Sequence, residues 1–186
     1  MALTWAARRG YEDVVKMLLE REDVNPNTVV DQYPRKTPLA WAAECGYEGI
    51  VKVLLEREDI NPDPVDKYGR TPLSLAVEWG HNEVVKMLLQ REDVDPNIAD
   101  KKYGRTPLAW AAWSGEQEIV KILLERNDVL TAAPDNKHQS PLSLALSGEH
   151  VGIVRILLER RNVNSGVADR GVQASFPSPG RNRDSG

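Results

Sequence analysis

The stretch that decides the fold is Tyr103-Gly104-Arg105-Thr106-Pro107-Leu108-Ala109-Trp110-Ala111-Ala112, because its central Thr-Pro-Leu recurs along the chain. The same tripeptide begins at Thr37 and Thr71, and Ser-Pro-Leu begins at Ser140, which gives intervals of 34, 35 and 34 residues. A double leucine follows each start after 17 residues, whereas the spacing from a double leucine to the next start varies between 16 and 18. This pattern predicts an array of stacked repeats with rigid cores and variable joints.

Residues 66–95 illustrate the structure that the pattern predicts for one repeat. A turn with Gly69 suited to positive φ precedes Thr71, which is placed to cap a first helix, and Pro72, which is favoured at the first helical position. A second helix follows Gly80 and has a wide apolar stripe. Both helices are shorter than the roughly 12–15 residues at which isolated helices become marginal, so neighbouring repeats must cover them.

The chain is therefore predicted to be an all-α solenoid of about five helix-turn-helix units joined by hairpin-like fingers. We call them units 1 to 5 and expect them at residues 1–30, 31–65, 66–99, 100–134 and 135–164. Residues 165–186 are rich in Ser, Gly, Arg and Pro without periodicity and are expected to form a disordered tail. Met1 occupies the cap position of unit 1, which favours a fragment of a longer array over a free-standing protein whose first unit frays.

The run 103–112, followed by Gly115 and the apolar segment 119–124, closely resembles an ankyrin repeat. Thr-Pro-Leu at the first helix and an Asp/Asn/Pro-rich joint after the second favour this family over tetratricopeptide repeats of similar period. The resemblance spans residues 1 to about 164, and the joint sequence Glu20–Asn27 looks like those of arrays in large fungal multidomain proteins. It implies a non-catalytic protein-binding scaffold.

The chain departs from the family pattern at several positions. The histidine usual after Thr-Pro-Leu is replaced by Ala40, Ser74, Ala109 or Ser143, which predicts the loss of a hydrogen bond in the turn. The glycine that normally ends the second helix is missing in every unit, so those helix ends are not defined by the sequence. Unit 5 has His138 and Glu149 where other units have glycine.

Composition excludes several other classes of function. The net charge is only -4, and the single cysteine, Cys45, forbids an internal disulfide. No Cys/His cluster, phosphate-binding loop, catalytic motif, signal peptide or membrane-length apolar run is present in the sequence. We therefore expect no enzymatic activity, cofactor, metal, small-molecule substrate or membrane partner. The expected location is the cytoplasm, with the nucleus as the alternative.

Two exposed tryptophans are the predicted centre of a partner site. Trp79 and Trp113 lie seven or eight residues after a Thr start, on the face that lines the concave groove of ankyrin-like stacks, and large aromatics are preferred binding anchors. Edge packing is the alternative. The other tryptophans, Trp5, Trp41 and Trp110, are expected to pack between first helices. The predicted site comprises Trp79, Trp113, Glu44, Glu78, Ser114, Tyr68, Arg70, Lys102, Tyr103 and Arg105.

The charges of the fingers suggest the chemistry of the partner. The segments 31–36, 66–70, 100–105 and 135–139 hold eight Lys/Arg against four Asp, and we expect the Asp side chains to brace the turns. A basic, aromatic groove favours an acidic protein segment. The alternative explanation of the charge pattern is a solvated surface that was copied when the repeats duplicated. The alternative functions are nucleic-acid binding through the basic finger tips and a passive spacer in a larger protein.

Overall fold

A computed structural model describes residues 1–29 and 35–160, and helices with intervening turns account for this part without any strand. The helices are α1 (Ala2–Arg9), α2 (Glu12–Leu19), α3 (Pro38–Cys45), α4 (Glu48–Leu55), α5 (Pro72–Glu78), α6 (Asn82–Leu89), α7 (Pro107–Ser114), α8 (Gln117–Glu125) and α9 (Pro141–Ser147). A further helix, α10, begins at residue 151 and continues to residue 160. The predicted all-α class is confirmed. The expected tail, 165–186, and the finger residues 31–34 lie outside the described residues.

The first helix of each unit begins as the sequence predicts. The side-chain oxygens of Thr37, Thr71, Thr106 and Ser140 accept hydrogen bonds from the backbone N–H three residues later, at distances between 3.1 and 3.3 Å. A proline follows each of these caps at the first helical position. Met1 caps α1 without a side-chain bond. These starts fix the register of every unit from the second onward.

The helices stack in two layers. The first helices α1, α3, α5, α7 and α9 contact one another in chain order, and the second helices α2, α4, α6 and α8 form the other layer. Leu54, Leu88 and Leu123, the first members of three double leucines, are completely buried between the layers. Burying each such side chain contributes about 1.5–3 kcal/mol. Neighbouring units therefore supply the cover that a single short helix pair lacks.

Arginine side chains bond the carbonyls at the ends of the second helices, where the glycine usual in the family is missing. Nη1 of Arg57 donates to the carbonyl of Leu19 at 3.1 Å, and Nη1 of Arg91 donates to the carbonyl of Leu55 at 2.9 Å. Each arginine also forms two bonds to the Asp two residues later, and Arg126 repeats the arrangement in unit 4. Through these arginines, the segments that follow the second helices satisfy carbonyls at or just beyond the end of the preceding unit's second helix.

The other departures from the family pattern are accommodated locally. Hydroxyls of Ser74 and Ser143 donate to the carbonyls of Thr71 and Ser140 at 2.9 and 2.8 Å, so both positions make a side-chain hydrogen bond although the family's histidine is absent. His138 and Glu149 have φ of 59° and 57°, the left-handed region that the glycines of other units occupy. Unit 5 therefore keeps the backbone path at a conformational cost.

Candidate binding groove between units 3 and 4

The predicted site residues converge on a groove of about 670 Å³ between units 3 and 4. The residues that line it are Tyr68, Arg70, Glu78, Trp79, Asp100, Lys102, Tyr103, Trp110, Trp113 and Ser114. Eight of these ten belong to the predicted set. Glu44 lies one unit away, Arg105 lies beneath the groove, and Asp100 and Trp110 are lining residues that the sequence prediction missed.

The two predicted anchors are both accessible. Trp79 follows the last residue of α5 and is 59% exposed, and Trp113 lies in the last turn of α7 and is 49% exposed. Their positions follow from the repeat register, because residues seven and eight after the cap occupy the same end of each first helix. Half-exposed indoles on a groove wall can bury further apolar area when a partner binds.

The remaining tryptophans differ from one another. Trp110 is only 7% exposed, so its predicted packing is confirmed. Trp41 is partly buried, with the guanidinium of Arg8 from α1 at 4.6 Å from its ring centroid, so it also contacts the neighbouring first helix. Trp5 is 55% exposed and lies against Tyr11 of its own unit, so the prediction of packing between first helices is wrong for Trp5.

Buried aspartates brace the fingers that form the outer edge of the groove. Oδ1 of Asp66 accepts from the backbone N–H groups of Tyr68 and Arg70, and the carboxylate of Asp100 accepts from those of Lys102, Tyr103 and Arg105. The expectation that these aspartates hold the turns is confirmed. The fingers are also tied together, because the N–H of Lys101 donates to the carbonyl of Tyr68 at 2.8 Å.

Asp100 has a second role that involves the groove floor. Its Oδ2 accepts a 3.0 Å bond from Nε1 of Trp110, which satisfies the one polar atom of this buried indole. Tyr103 and Trp113 meet Trp110 edge to face, with centroids 5.4 and 5.5 Å away. The groove therefore has a floor of interlocked rings whose orientation is fixed before any partner arrives.

Arg105 is not available to a partner, so its prediction as a contact residue requires correction. The residue is 8% exposed, and its guanidinium carbon lies 4.8–5.2 Å from the centroids of three rings: Tyr103, Trp110 and Trp113. Its Nε pairs with Oδ2 of Asp135 in unit 5 at 3.4 Å. Arg105 thus supports the aromatic floor from below.

The groove is less basic than the sequence suggested. In unit 3, Arg70 bonds both to Asp66 and to Glu78, eight residues further on, at 2.8–3.0 Å. In unit 2, Lys36 and Glu44 form the equivalent pair. In unit 4, Trp113 replaces this acid. The basic residues nearest the first helices are therefore paired, and the exposed positive charge at the described fingers comes from lysines such as Lys101, Lys102 and Lys137.

Two kinds of reactive site can be checked among the described residues: a metal centre and an activated cysteine. These residues contain no cluster of His, Cys, Asp and Glu that could hold a metal ion. Cys45 is exposed. The partial desolvation of its thiol and the charge of Glu44 raise the pKa of Cys45, which is unfavourable for a nucleophile. None of the helices in residues 1–29 and 35–160 combines the length and apolar character needed to cross a membrane.

Stacked helix pairs with braced fingers and a groove along one face define the chain as a helical repeat protein of the ankyrin type. A family model described as ankyrin repeats (3 copies) matches residues 3–100, 62–133 and 92–169, and the chain belongs to this family. Ankyrin repeats are generally protein–protein interaction modules and typically non-catalytic. No curated protein matches the chain, so the expected likeness to fungal multidomain arrays has no support from a relative.

Proposed function

We propose that this protein binds a protein partner in the groove between units 3 and 4, with Trp79 and Trp113 as the anchors. The observation that supports this most is the convergence of the two half-exposed indoles on one groove of about 670 Å³. Buried aromatic side chains dominate many protein interfaces energetically, and they do so best when the surrounding residues exclude water.

The rigid floor of the groove favours tight binding. Trp110 is bonded to Asp100, and Arg105 lies beneath Trp110 and Trp113, so these rings are already oriented. Each rotamer-rich side chain that an interface must immobilise costs about 0.5–1.5 kcal/mol. A preformed aromatic surface avoids part of that cost.

The partner segment is proposed to combine a large apolar side chain with acidic residues. The apolar side chain would lie against Trp79 and Trp113, while carboxylates would approach the exposed Lys101 and Lys102 at the finger tip. Complementary charge of this kind speeds encounter and sets register more than it adds affinity, so binding should weaken as salt increases.

The test is selection of a random peptide display library on the full chain, followed by affinity measurements with individual synthetic peptides. We expect enrichment of acidic peptides with an aromatic or long aliphatic residue, and a loss of at least tenfold in affinity for the double variant Trp79→Ala and Trp113→Ala. Trp5→Ala is the matched control, because Trp5 is similarly exposed but does not line the groove.

Two outcomes would contradict the proposal. Selected peptides that bind the double variant as well as the wild type, with unchanged helical circular dichroism, would place the site elsewhere. Labelled single- or double-stranded DNA should also be tested at moderate salt. If the DNA binds, and binding is lost when Lys101 and Lys102 are changed to Glu but kept in the tryptophan variant, nucleic acid is favoured as the partner instead.

A further inference from the structure

Between the second helices and the fingers, asparagine side chains close the joints between units. Nδ2 of Asn27 in unit 1 donates to the carbonyl of Asp59 in unit 2 at 2.8 Å, and Oδ1 of Asn27 accepts from the N–H of Asn61 at 2.8 Å. One amide thus satisfies a donor and an acceptor of the next unit, and we call this arrangement an amide clamp.

The joint between units 3 and 4 has the same clamp. Nδ2 of Asn97 donates to the carbonyl of Asp128 at 2.9 Å, and Oδ1 accepts from the N–H of Leu130 at 2.8 Å. In both clamps the carbonyl belongs to the residue two positions before the donated N–H. The clamp therefore needs a side chain that donates with one atom and accepts with the other.

Asp63 occupies the clamp position at the joint between units 2 and 3. Its Oδ2 accepts from the N–H of Asp95 at 2.7 Å, which is the accepting half of the clamp. Its Oδ1 is buried without a hydrogen-bond partner among the described residues. By the register of the other clamps, the carbonyl opposite Oδ1 belongs to Asp93, and a carboxylate cannot donate to it.

We infer that Asp63 makes the joint between units 2 and 3 sensitive to protons. When Asp63 is ionised the clamp is half closed, with two oxygen atoms facing each other. When Asp63 is protonated its hydroxyl can donate to the Asp93 carbonyl, as the amides do in the two neighbouring joints. Units 1 and 2 would then be tied more firmly to units 3 and 4, which hold the groove.

The surroundings of Asp63 shift its proton equilibrium towards the protonated form relative to an exposed Asp. Burial raises the pKa of Asp63, the bond from the Asp95 N–H lowers it, the charges of Asp95 and Asp93 raise it, and Arg126 lowers it least, for a net increase. The folded chain therefore takes up this proton at a higher pH than the unfolded chain. The stability contributed by the joint consequently rises as the pH falls from the raised pKa towards the ordinary value for Asp.

The direct test is thermal unfolding of the full chain and its Asp63→Asn variant between pH 4 and pH 7.5. At neutral pH we expect the Tm of the variant to be higher by about 3–6 °C, because the amide completes the clamp. This difference should shrink as the pH falls. Comparing the two proteins at each pH cancels the titration of the other carboxylates.

Matched reverse variants use the two complete clamps. Asn27→Asp and Asn97→Asp should each lower the Tm at neutral pH. The Tm difference between each variant and the wild type should become smaller as the pH falls. Amide hydrogen exchange gives a local measurement, since protection of the Asp95 N–H should increase in Asp63→Asn. A variant no more stable than wild type at neutral pH, or a Tm difference constant across the pH range, would overturn the inference.

Discussion

Nε1 of Trp110 donates a 3.0 Å hydrogen bond to Oδ2 of Asp100, and this contact joins the floor of the groove to the finger at its edge. The same carboxylate accepts backbone N–H groups of the finger, including that of Arg105 at 3.0 Å. Because Asp100 is buried and has little access to water, its carboxylate depends on these protein donors for its hydrogen bonds. The orientation of the floor and the shape of the finger are therefore coupled.

Replacing Trp110 by Phe should test that coupling. We expect the free energy of unfolding to fall by about 1–3 kcal/mol, since Asp100 loses one partner and the smaller ring packs less well. Urea denaturation followed by circular dichroism measures the change. Trp5→Phe is the control and should alter stability by no more than about 0.5 kcal/mol, because Trp5 is largely exposed.

Arg105→Met should destabilise the array in a pH-dependent way. The change leaves Asp135 buried without its cation, which costs about 1–3 kcal/mol. Burial acts to raise the pKa of Asp135, but the N–H groups of Gln139 and Lys137 and the Arg105 guanidinium outweigh it, so the pKa is lowered. Asp135 therefore stabilises the fold above the ordinary pKa of Asp, and this contribution is lost as the pH falls through the lowered value.

The stability difference between wild type and Arg105→Met should accordingly be largest near neutral pH and shrink in acid. Urea unfolding at several pH values measures it. Lys137→Met changes a nearby exposed charge and should have little effect at any pH. A difference that stays constant with pH would mean that Arg105 acts through ring packing alone.

Replacing either of the two non-glycine residues with left-handed backbone in unit 5 by glycine should stabilise the fold. Glu149→Gly removes a side chain from a residue with φ of 57° and is expected to add up to about 1 kcal/mol to the free energy of unfolding. The converse change, Gly115→Ala, should cost about 1–2 kcal/mol. There φ is 80°, and a Cβ would come within 2.7 Å of Cε1 of His150. If Glu149→Gly and Gly115→Ala changed the free energy of unfolding in the same direction, backbone strain would not explain the effects.

Arg91→Lys tests the cap at the end of a second helix. A lysine keeps the charge but carries all its donors on one nitrogen. It therefore cannot reproduce the separate guanidinium bonds to Asp93 and the carbonyl of Leu55, and stability should fall by about 1 kcal/mol. Arg21→Lys is the control, since Arg21 pairs with Asp23 in the same way but is more exposed. Equal losses in the two variants would show that the bond to Leu55 contributes nothing measurable.

The sequence by itself determined the repeat architecture and the position of the groove. Thr71 and Pro72 specify a helix start through local hydrogen bonding and fixed φ, so their role can be read without knowing any neighbour. A constant register then assigns Trp79 and Trp113 to equivalent ends of first helices, which is why eight lining residues of the groove were predictable. Local chemistry and periodicity are both properties of the chain alone.

Only the tertiary structure decided which polar side chains are already engaged. Arg105 looks like a surface cation in the sequence, but the rings of unit 4 and Asp135 of unit 5 enclose it. Arg91 lies in the joint after a second helix, yet it caps the helix of the preceding unit. Asp63 is exceptional only because asparagine closes the neighbouring joints. These roles depend on atoms about 30–40 residues distant, and repeat spacing places such atoms near one another without specifying which of them bond.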